Sequence, residues 1–147
     1  MKKTDENATE KSRLQTVVVE QANFIHSLEL NMMSLKGKQK ELALMHYVND
    51  LTRLDQIETM AQVYKREKST TIDHARGIAE QNWLRDDSMQ QHRDIWNKSK
   101  TELEKSQADI EMVKCQIEYQ LMLLKISMIA FEYCLAEAKR PLKIQIG

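Results

Sequence analysis

The fold is decided by residues 103–138, which read LEKSQADIEMVKCQIEYQLMLLKISMIAFEYCLAEA. Apolar side chains recur in this stretch every seven residues, at Leu103, Ile110, Ile117, Leu124, Phe131 and Ala138. Three or four positions from these lie four further apolar residues, Val113, Leu121, Met128 and Leu135, so they fall on the same side of a helix. The first proline is Pro141. The pattern predicts one long helix with an apolar seam that another helix must cover.

The composition of the whole chain favours long helices over a thick globular core. Its 147 residues include only three glycines and one proline to turn the backbone, which argues against a fold of many strands. Charged residues make up 30% and aromatic residues 5%. Lys plus Arg and Asp plus Glu both number 22. The chain therefore has no net field to attract nucleic acid or an anionic membrane, and its charges are expected to form solvated helix faces.

The N-terminal half carries a second series of apolar residues at helical spacing. It consists of Leu14, Val18, Ile25, Leu28, Met32 and Leu35, followed after a polar gap by Leu44, Tyr47, Leu51, Leu54 and Ala61. Gly37 lies in that gap and is compatible with either a kink or a break, because glycine is a weak helix former that also suits a C-terminal cap.

The two helical stretches meet near Lys65 to Thr71, where basic residues suit a helix C-terminus and Ser or Thr suits the next N-cap. We therefore divide the chain into a polar N-terminal lead at 1–13, a first helical arm at 14–66, a turn at 67–71, a second helical arm at 72–138 and a C-terminal tail at 139–147. The predicted fold is all-α, an elongated antiparallel two-helix coiled-coil hairpin, completed to a bundle by a partner or by self-association.

A turn centred near Ser69 also predicts the register of the two arms. Residues 14–19 are expected to face residues 121–125, and residues 25–35 to face residues 103–113. Phe131 and Leu135 would then lie opposite the polar lead, with little apolar surface to cover them.

Six residues are candidates for partner binding. Trp83 and Trp96 are interface-type side chains, although positions in a coiled-coil core are the more ordinary explanation for them, and thirteen residues of continuous helix would place them on different sides. Met112 and Met122 fall outside the best-fitting seam, as do Leu123 and Ile129. A helix that is apolar on more than one side usually belongs to a larger bundle, which makes the second arm the preferred site for a partner.

No pattern of residues predicts catalysis, a cofactor or a metal. The three glycines stand apart, so no phosphate-binding loop is present, and the four histidines are scattered. Two cysteines, Cys115 and Cys134, are too few for a disulfide framework and indicate a reducing, cytoplasmic setting. The most apolar window, residues 121–138, carries three charges and is shorter than the roughly 20 residues of a membrane span. We therefore expect a protein that is not an enzyme, with no membrane span.

Three functions fit this architecture. The first is a non-enzymatic assembly or adaptor protein that docks through an apolar helical face into a larger complex. The second rests on a resemblance: in length and two-arm layout the chain resembles the small coiled-coil stalks and chaperones of type III secretion and flagellar export, which implies contact with an export ATPase. The third is a structural subunit of a cytoskeletal or filamentous assembly. All three predict protein partners through helix packing, with self-association as one form of it.

Overall fold

The computed structural model describes residues 2–139, and all four of its regular elements are helical. Helix α1 spans Lys2–Lys68, α2 spans Ile72–Arg85, a short 3₁₀ turn spans Asp87–Met89, and α3 spans Gln90–Lys139. The predicted all-α class is confirmed. The described chain has three α-helices, however, where the sequence predicted two arms. The tail predicted at 139–147 lies outside the described residues, apart from Lys139.

The helices group into two compact units. One comprises residues up to Ser34 together with those from Ile110 onward, and the other comprises Leu35–Asp109. We call them the terminal unit and the central unit, and treat each separately.

Helix α1 is longer than the predicted first arm at both ends. It already includes Lys2, so the described part of the predicted polar lead is helical, and it continues through Gly37 without a break. A Cβ atom added at Gly37 would meet nothing within 4 Å, so no close approach of another segment requires a glycine there. The break that Gly37 allowed is therefore absent.

The turn after α1 depends on two hydroxyl residues. Ser69 has a φ of 53°, in the left-handed region, and its N–H donates to the Lys65 carbonyl at 2.9 Å. This is how helices commonly end, although glycine usually holds the position. Thr71 then caps α2, its hydroxyl accepting from the His74 N–H at 3.4 Å.

Replacing Ser69 with glycine is expected to raise the free energy of unfolding by about 1 kcal/mol, since glycine adopts a positive φ without steric cost. Urea unfolding followed by circular dichroism measures the change. Ser69→Ala, which keeps a Cβ, serves as control and should give no gain. Equal stability of the two variants would contradict the left-handed assignment.

The predicted second arm, 72–138, is wrong as a single helix, because it is interrupted at Asp86–Met89. The Asp86 side chain accepts from the Ser88 N–H at 3.0 Å, as an N-cap does. Arg93 donates from Nη1 to the carbonyls of Trp83 and Asp86 at 2.6 and 2.7 Å. A polar residue from the next helix thus satisfies carbonyls at the end of α2.

In the terminal unit, one face of α3 forms a regular series of inward positions. Its buried and half-buried positions alternate three and four residues apart, at Ile110, Val113, Ile117, Gln120, Leu124, Ser127, Phe131 and Cys134; we call these the inner seam. Four members of the predicted heptad series, Ile110, Ile117, Leu124 and Phe131, are thus on the inner side of this unit, whereas the side chain of Ala138 lies outside the described residues. Leu121 and Met128, predicted in the same seam, are each 46% exposed, because Gln120 and Ser127 occupy the inward positions beside them.

In the central unit, four of the five apolar residues predicted after the polar gap lie on the outer side of α1, and only Ala61 is buried as predicted. Leu44, Tyr47, Leu51 and Leu54 are 48–65% exposed. The inward positions continue the same three-and-four alternation and are largely polar, at Leu35, Gln39, Leu42, His46, Asn49, Arg53 and Gln56. Apolar periodicity does not mark this inner face because tryptophan and polar side chains of α2 and α3 contact several of its polar residues, among them His46, Arg53 and Gln56.

The core of the central unit is built from small residues and one large one. Ala61, Ala75 and Ala79 are at most 1% exposed and bring α1 and α2 close together. Ile57 and Trp83 complete the buried cluster.

The register in the terminal unit differs from the predicted one. Glu10, Arg13 and Leu14 line one groove together with residues between Ile126 and Glu137 of α3. The predicted partners of Leu14 were residues 121–125, so the register is shifted toward the C-terminus. Phe131 and Leu135, predicted to lack cover, are half-buried.

A bidentate ion pair joins α1 to α2 close to the turn. Arg76 donates from Nε and Nη2 to the two carboxylate oxygens of Glu58, at 2.9 and 3.2 Å. These bonds, with a further one from Gln62, hold the pKa of Glu58 below its ordinary value.

Because the pKa of Glu58 is lowered in the folded state, its stabilising contribution is present above the ordinary glutamate pKa of about 4.3 and is lost as the pH falls through the folded value. We expect the free energy of unfolding to fall on acidification, and Glu58→Gln to show a shallower fall than the native chain. Urea unfolding at a series of pH values down to about pH 3 tests this. Identical pH profiles would contradict it.

Candidate interaction surface

The main candidate surface is a second heptad series on the outward side of α3 in the terminal unit. It repeats three and four residues apart, at Met112, Cys115, Tyr119, Met122, Ile126, Ile129, Tyr133 and Ala136, and we call it the outer stripe. All eight residues are exposed, with Met112 at 64%, Ile126 at 57% and Tyr133 at 66%. A helix whose outward side repeats at the coiled-coil spacing presents a second seam to solvent.

The outer stripe and the inner seam share one helix. Between residues 121 and 136 the exposed Leu121 and Met128 fill the space between the two series. The inner seam itself contains polar residues, Gln120 and Ser127. This part of α3 therefore carries as much apolar surface outward as inward, which is unusual for a helix facing water.

Charged residues run along one edge of the outer stripe. Glu111, Glu118, Lys125 and Glu132 recur every seven residues and are all exposed. In a coiled coil, ion pairs at such flanking positions determine which helix binds and in which direction it runs.

An open groove adjoins the stripe at its C-terminal end. Its volume is about 630 Å³, and Ile126, Ile129 and Tyr133 line it from α3 while Leu14 lines it from α1. Arg13 and Glu10 at its edge form a bidentate ion pair, and the hydrogen bond from Arg13 lowers the pKa of Glu10.

A separate polar and aromatic cluster lies in the central unit. The Arg53 guanidinium sits between two indole rings, 5.2 Å from the centroid of Trp83 and 5.1 Å from that of Trp96. The two rings meet edge to face, with centroids 6.1 Å apart. This contact is possible because the break at Asp86–Met89 removes the fixed angular relation that a continuous helix would impose.

Hydrogen bonds tie the cluster to α1. Trp83 Nε1 donates to Gln56 Oε1 at 3.0 Å, and Trp96 Nε1 donates to Asp50 Oδ1 at 2.9 Å. His46 Nδ1 lies 2.8 Å from Ser99 Oγ. The pairs 46–99, 50–96 and 56–83 run in opposite order along the two segments, so these segments are antiparallel within the unit. A cavity of about 90 Å³ adjoins Arg53, which is small beside the roughly 300–1,000 Å³ of ligand pockets.

The structure separates five of the six predicted partner-binding residues into two groups and places the sixth, Leu123, outside both. Trp83 is 1% exposed and Trp96 half-buried, and both belong to the internal cluster. Met112, Met122 and Ile129 lie together on the outer stripe, 53–64% exposed. Leu123 lies between the stripe and the inner seam and is half-buried.

Sequence reasoning missed two features. The first is an exposed patch on α1 in the central unit, formed by Leu44, Tyr47, Val48, Leu51 and Leu54. The second is Arg53, which a search for apolar periodicity does not place in the cluster because its side chain is charged. Continuing the three-and-four spacing from Ile25 and Leu28 past Gly37 would have predicted both features, since it places Arg53 on the inner side of α1 and Leu51 on the outer side.

In residues 2–139 no group of three His, Cys, Asp or Glu side chains is placed to hold a metal ion. Of the two cysteines, Cys115 is exposed and Cys134 is buried.

One stretch of the described chain, Asp87–Glu137, is long and apolar enough to cross a membrane when judged by length and composition only. Core helices of soluble proteins pass the same test, so this is weak evidence for a span. Only 6% of its most apolar window is buried. Its apolar character therefore reaches the surface, as the outer stripe shows.

Comparison of the chain with family models, with characterised proteins and with solved structures finds no match. The function has to be inferred from the chain's own surfaces.

Proposed function

We propose that this chain is a non-enzymatic coiled-coil assembly protein that docks into a larger complex through the outer stripe of α3. One observation carries the proposal: eight successive outward heptad positions are exposed, and most hold large apolar side chains. Isolated exposed apolar residues are ordinary, whereas a continuous series at coiled-coil spacing matches the surface of another helix.

The helical hairpin is part of this proposal, with α2 and α3 together forming the second arm. Antiparallel contacts within the central unit support it. The proposal also includes a cytoplasmic location, because two cysteines are too few for a disulfide framework.

The absence of catalysis is also part of the proposal. The polar groups that cluster in the central unit are engaged with each other: Asp50 accepts from Trp96, Gln56 accepts from Trp83, and Arg53 contacts both rings. These contacts give the cluster a structural role, in which it joins α1 to α2 and α3.

Affinity capture with lysine cross-linking and mass spectrometry tests the function. The native chain is compared with Ile126→Glu, which places a charge in the outer stripe, and with Leu30→Glu, a matched control at a similarly exposed position of α1. We expect Ile126→Glu to lose the captured partners and Leu30→Glu to keep them. Equal capture by all three proteins would overturn the proposal.

The identity of the captured proteins separates the other two predicted functions. An export ATPase would support the export stalk or chaperone, and polymer subunits cross-linked along the whole chain would support the filament subunit.

A further inference from the structure

We infer that the outer stripe binds a second copy of this chain, with the two α3 helices antiparallel and Glu118 of each copy paired with Lys125 of the other. The inference rests on the proposed function and names the partner of the same surface.

The first argument is the amount of surface. At their observed exposures, the six stripe residues from Met112 to Ile129 that meet in the register argued below offer roughly 600 Å² per copy, at the lower end of the roughly 1,200–2,000 Å² in total that specific interfaces bury. Two stripes facing each other are therefore enough for a specific dimer. The dimer would be isologous, since both copies use the same surface.

The second argument is spacing. In an antiparallel coiled coil, the first core position of one heptad packs against the second core position of the other helix. Tyr119 and Met122 can form such a pair across a two-fold axis between them. The same axis brings Cys115 opposite Ile126 and Met112 opposite Ile129 of the second copy. Six successive layers then contain only apolar residues and the Cys115 thiol.

The third argument is charge, and it chooses among the registers. With the axis between Tyr119 and Met122, Glu118 flanks Lys125 of the second copy at the centre of the contact, and the symmetry makes this pair twice. Glu111 and Glu132 meet as like charges only at the two ends of the contact. A different register, displaced by one heptad, would match all eight positions of the outer stripe. In that register Lys125 would face Lys125 of the second copy, and Glu118 would face Glu132. Opposite charges at these flanking positions stabilise a coiled coil and like charges destabilise it.

A parallel dimer is disfavoured by the same residues. In that arrangement, flanking positions five residues apart meet, so Glu118 would face Leu123 and Glu132 would face Glu137. Neither contact is attractive. Only the antiparallel register pairs opposite charges beside a continuous apolar core.

The chain also lacks any net charge that would keep two copies apart. Acidic and basic residues balance at 22 each, so association meets no long-range repulsion near neutral pH. An anionic lipid surface fits less well, because three of the four charges along the edge of the stripe are acidic.

Analytical ultracentrifugation of the full chain over a range of concentrations is the first test. We expect a reversible species of twice the 17.3 kDa chain mass. Glu118→Lys should raise the dissociation constant about tenfold, because it replaces two attractions with two repulsions. Lys125→Glu should do the same, and the double variant Glu118→Lys/Lys125→Glu should restore the native value. A chain that stays monomeric, or a double variant no tighter than the single ones, overturns the inference.

Cross-linking tests the direction of the helices. Cys115 and a cysteine introduced by Ile126→Cys are eleven residues apart on one helix, about 16 Å, but face each other between antiparallel copies. In a Cys134→Ala background, a short bis-maleimide should link Cys115 to position 126 of the second copy. Links between the two Cys115 residues would indicate a parallel dimer and overturn the inference.

Failure here is distinguishable from failure of the proposed function. A native chain that is monomeric, yet loses a different captured protein on Ile126→Glu, would reject the second copy and keep the assembly function. Flotation with anionic phosphatidylserine vesicles that depends on Ile126 would reject the second copy in favour of lipid.

Discussion

Replacing Trp83 with alanine is expected to lower the free energy of unfolding by about 3–5 kcal/mol. Trp83 is 1% exposed and packs in the buried cluster with Ala75, Ala79 and Ile57. Its loss would leave a cavity, remove one of the two rings that hold the Arg53 guanidinium, and free the Gln56 amide oxygen. Urea unfolding followed by far-ultraviolet circular dichroism measures the loss.

Leu84→Ala is the matched control for Trp83→Ala. Leu84 is the next residue in α2 and is 56% exposed, so we expect its truncation to cost no more than about 0.5 kcal/mol. Similar losses for the two variants would contradict the assignment of Trp83 to the core.

A double-mutant cycle between Trp83→Ala and Arg53→Met isolates the contact between the ring and the guanidinium. We expect a coupling of about 1 kcal/mol, in the range of partly buried cation–π pairs. Strict additivity of the two substitutions would mean that Arg53 contributes only through its other contacts.

Introducing aspartate at Val113 is the second change with a large expected effect. Val113 is 7% exposed on the inner seam, so an unpaired charge there would enter an apolar environment. We expect the free energy of unfolding to fall by about 3–5 kcal/mol, the range found when a buried charge is left without a partner. Thermal unfolding followed by circular dichroism at low protein concentration provides the measurement.

Met112→Asp is the control for Val113→Asp, because the two residues are adjacent on α3, about 100° apart around the helix, and only Val113 faces inward. Met112 is 64% exposed on the outer stripe. We expect Met112→Asp to leave the unfolding of the dilute chain nearly unchanged and to weaken its self-association. The reverse pattern, with Met112→Asp the more destabilising, would mean that inner seam and outer stripe are exchanged.

The candidate surface was partly visible in the sequence. Met112, Met122 and Ile129 were singled out because they do not fit the heptad series that contains Ile110 and Ile117. The sequence could not show that Leu121 and Met128 also face outward. Like Gln120 and Ser127, they lie three or four residues from the neighbouring members of that series, so spacing alone does not distinguish the two pairs. Because they are apolar, Leu121 and Met128 were predicted to face inward, whereas the polar Gln120 and Ser127 do so.

The prediction that Trp83 and Trp96 lie on different sides of one helix was wrong for a different reason. Their separation was converted to an angle by assuming a continuous helix, and the break at Asp86–Met89 makes that conversion invalid. Asp86 and Ser88 are both good N-cap residues, and this signal could have marked the break.

The sequence by itself determined that the chain is helical, because apolar residues at a seven-residue period and a scarcity of glycine and proline are local properties of the polypeptide. Which face of α1 is inside in the central unit was decided only by tertiary structure. There the inward positions of α1 include His46 and Arg53, and they can be buried because side chains from α2 and α3 supply two indole rings and a serine hydroxyl. Burial of a polar side chain depends on partners that lie far away in sequence, and the periodicity of one helix contains no information about those partners.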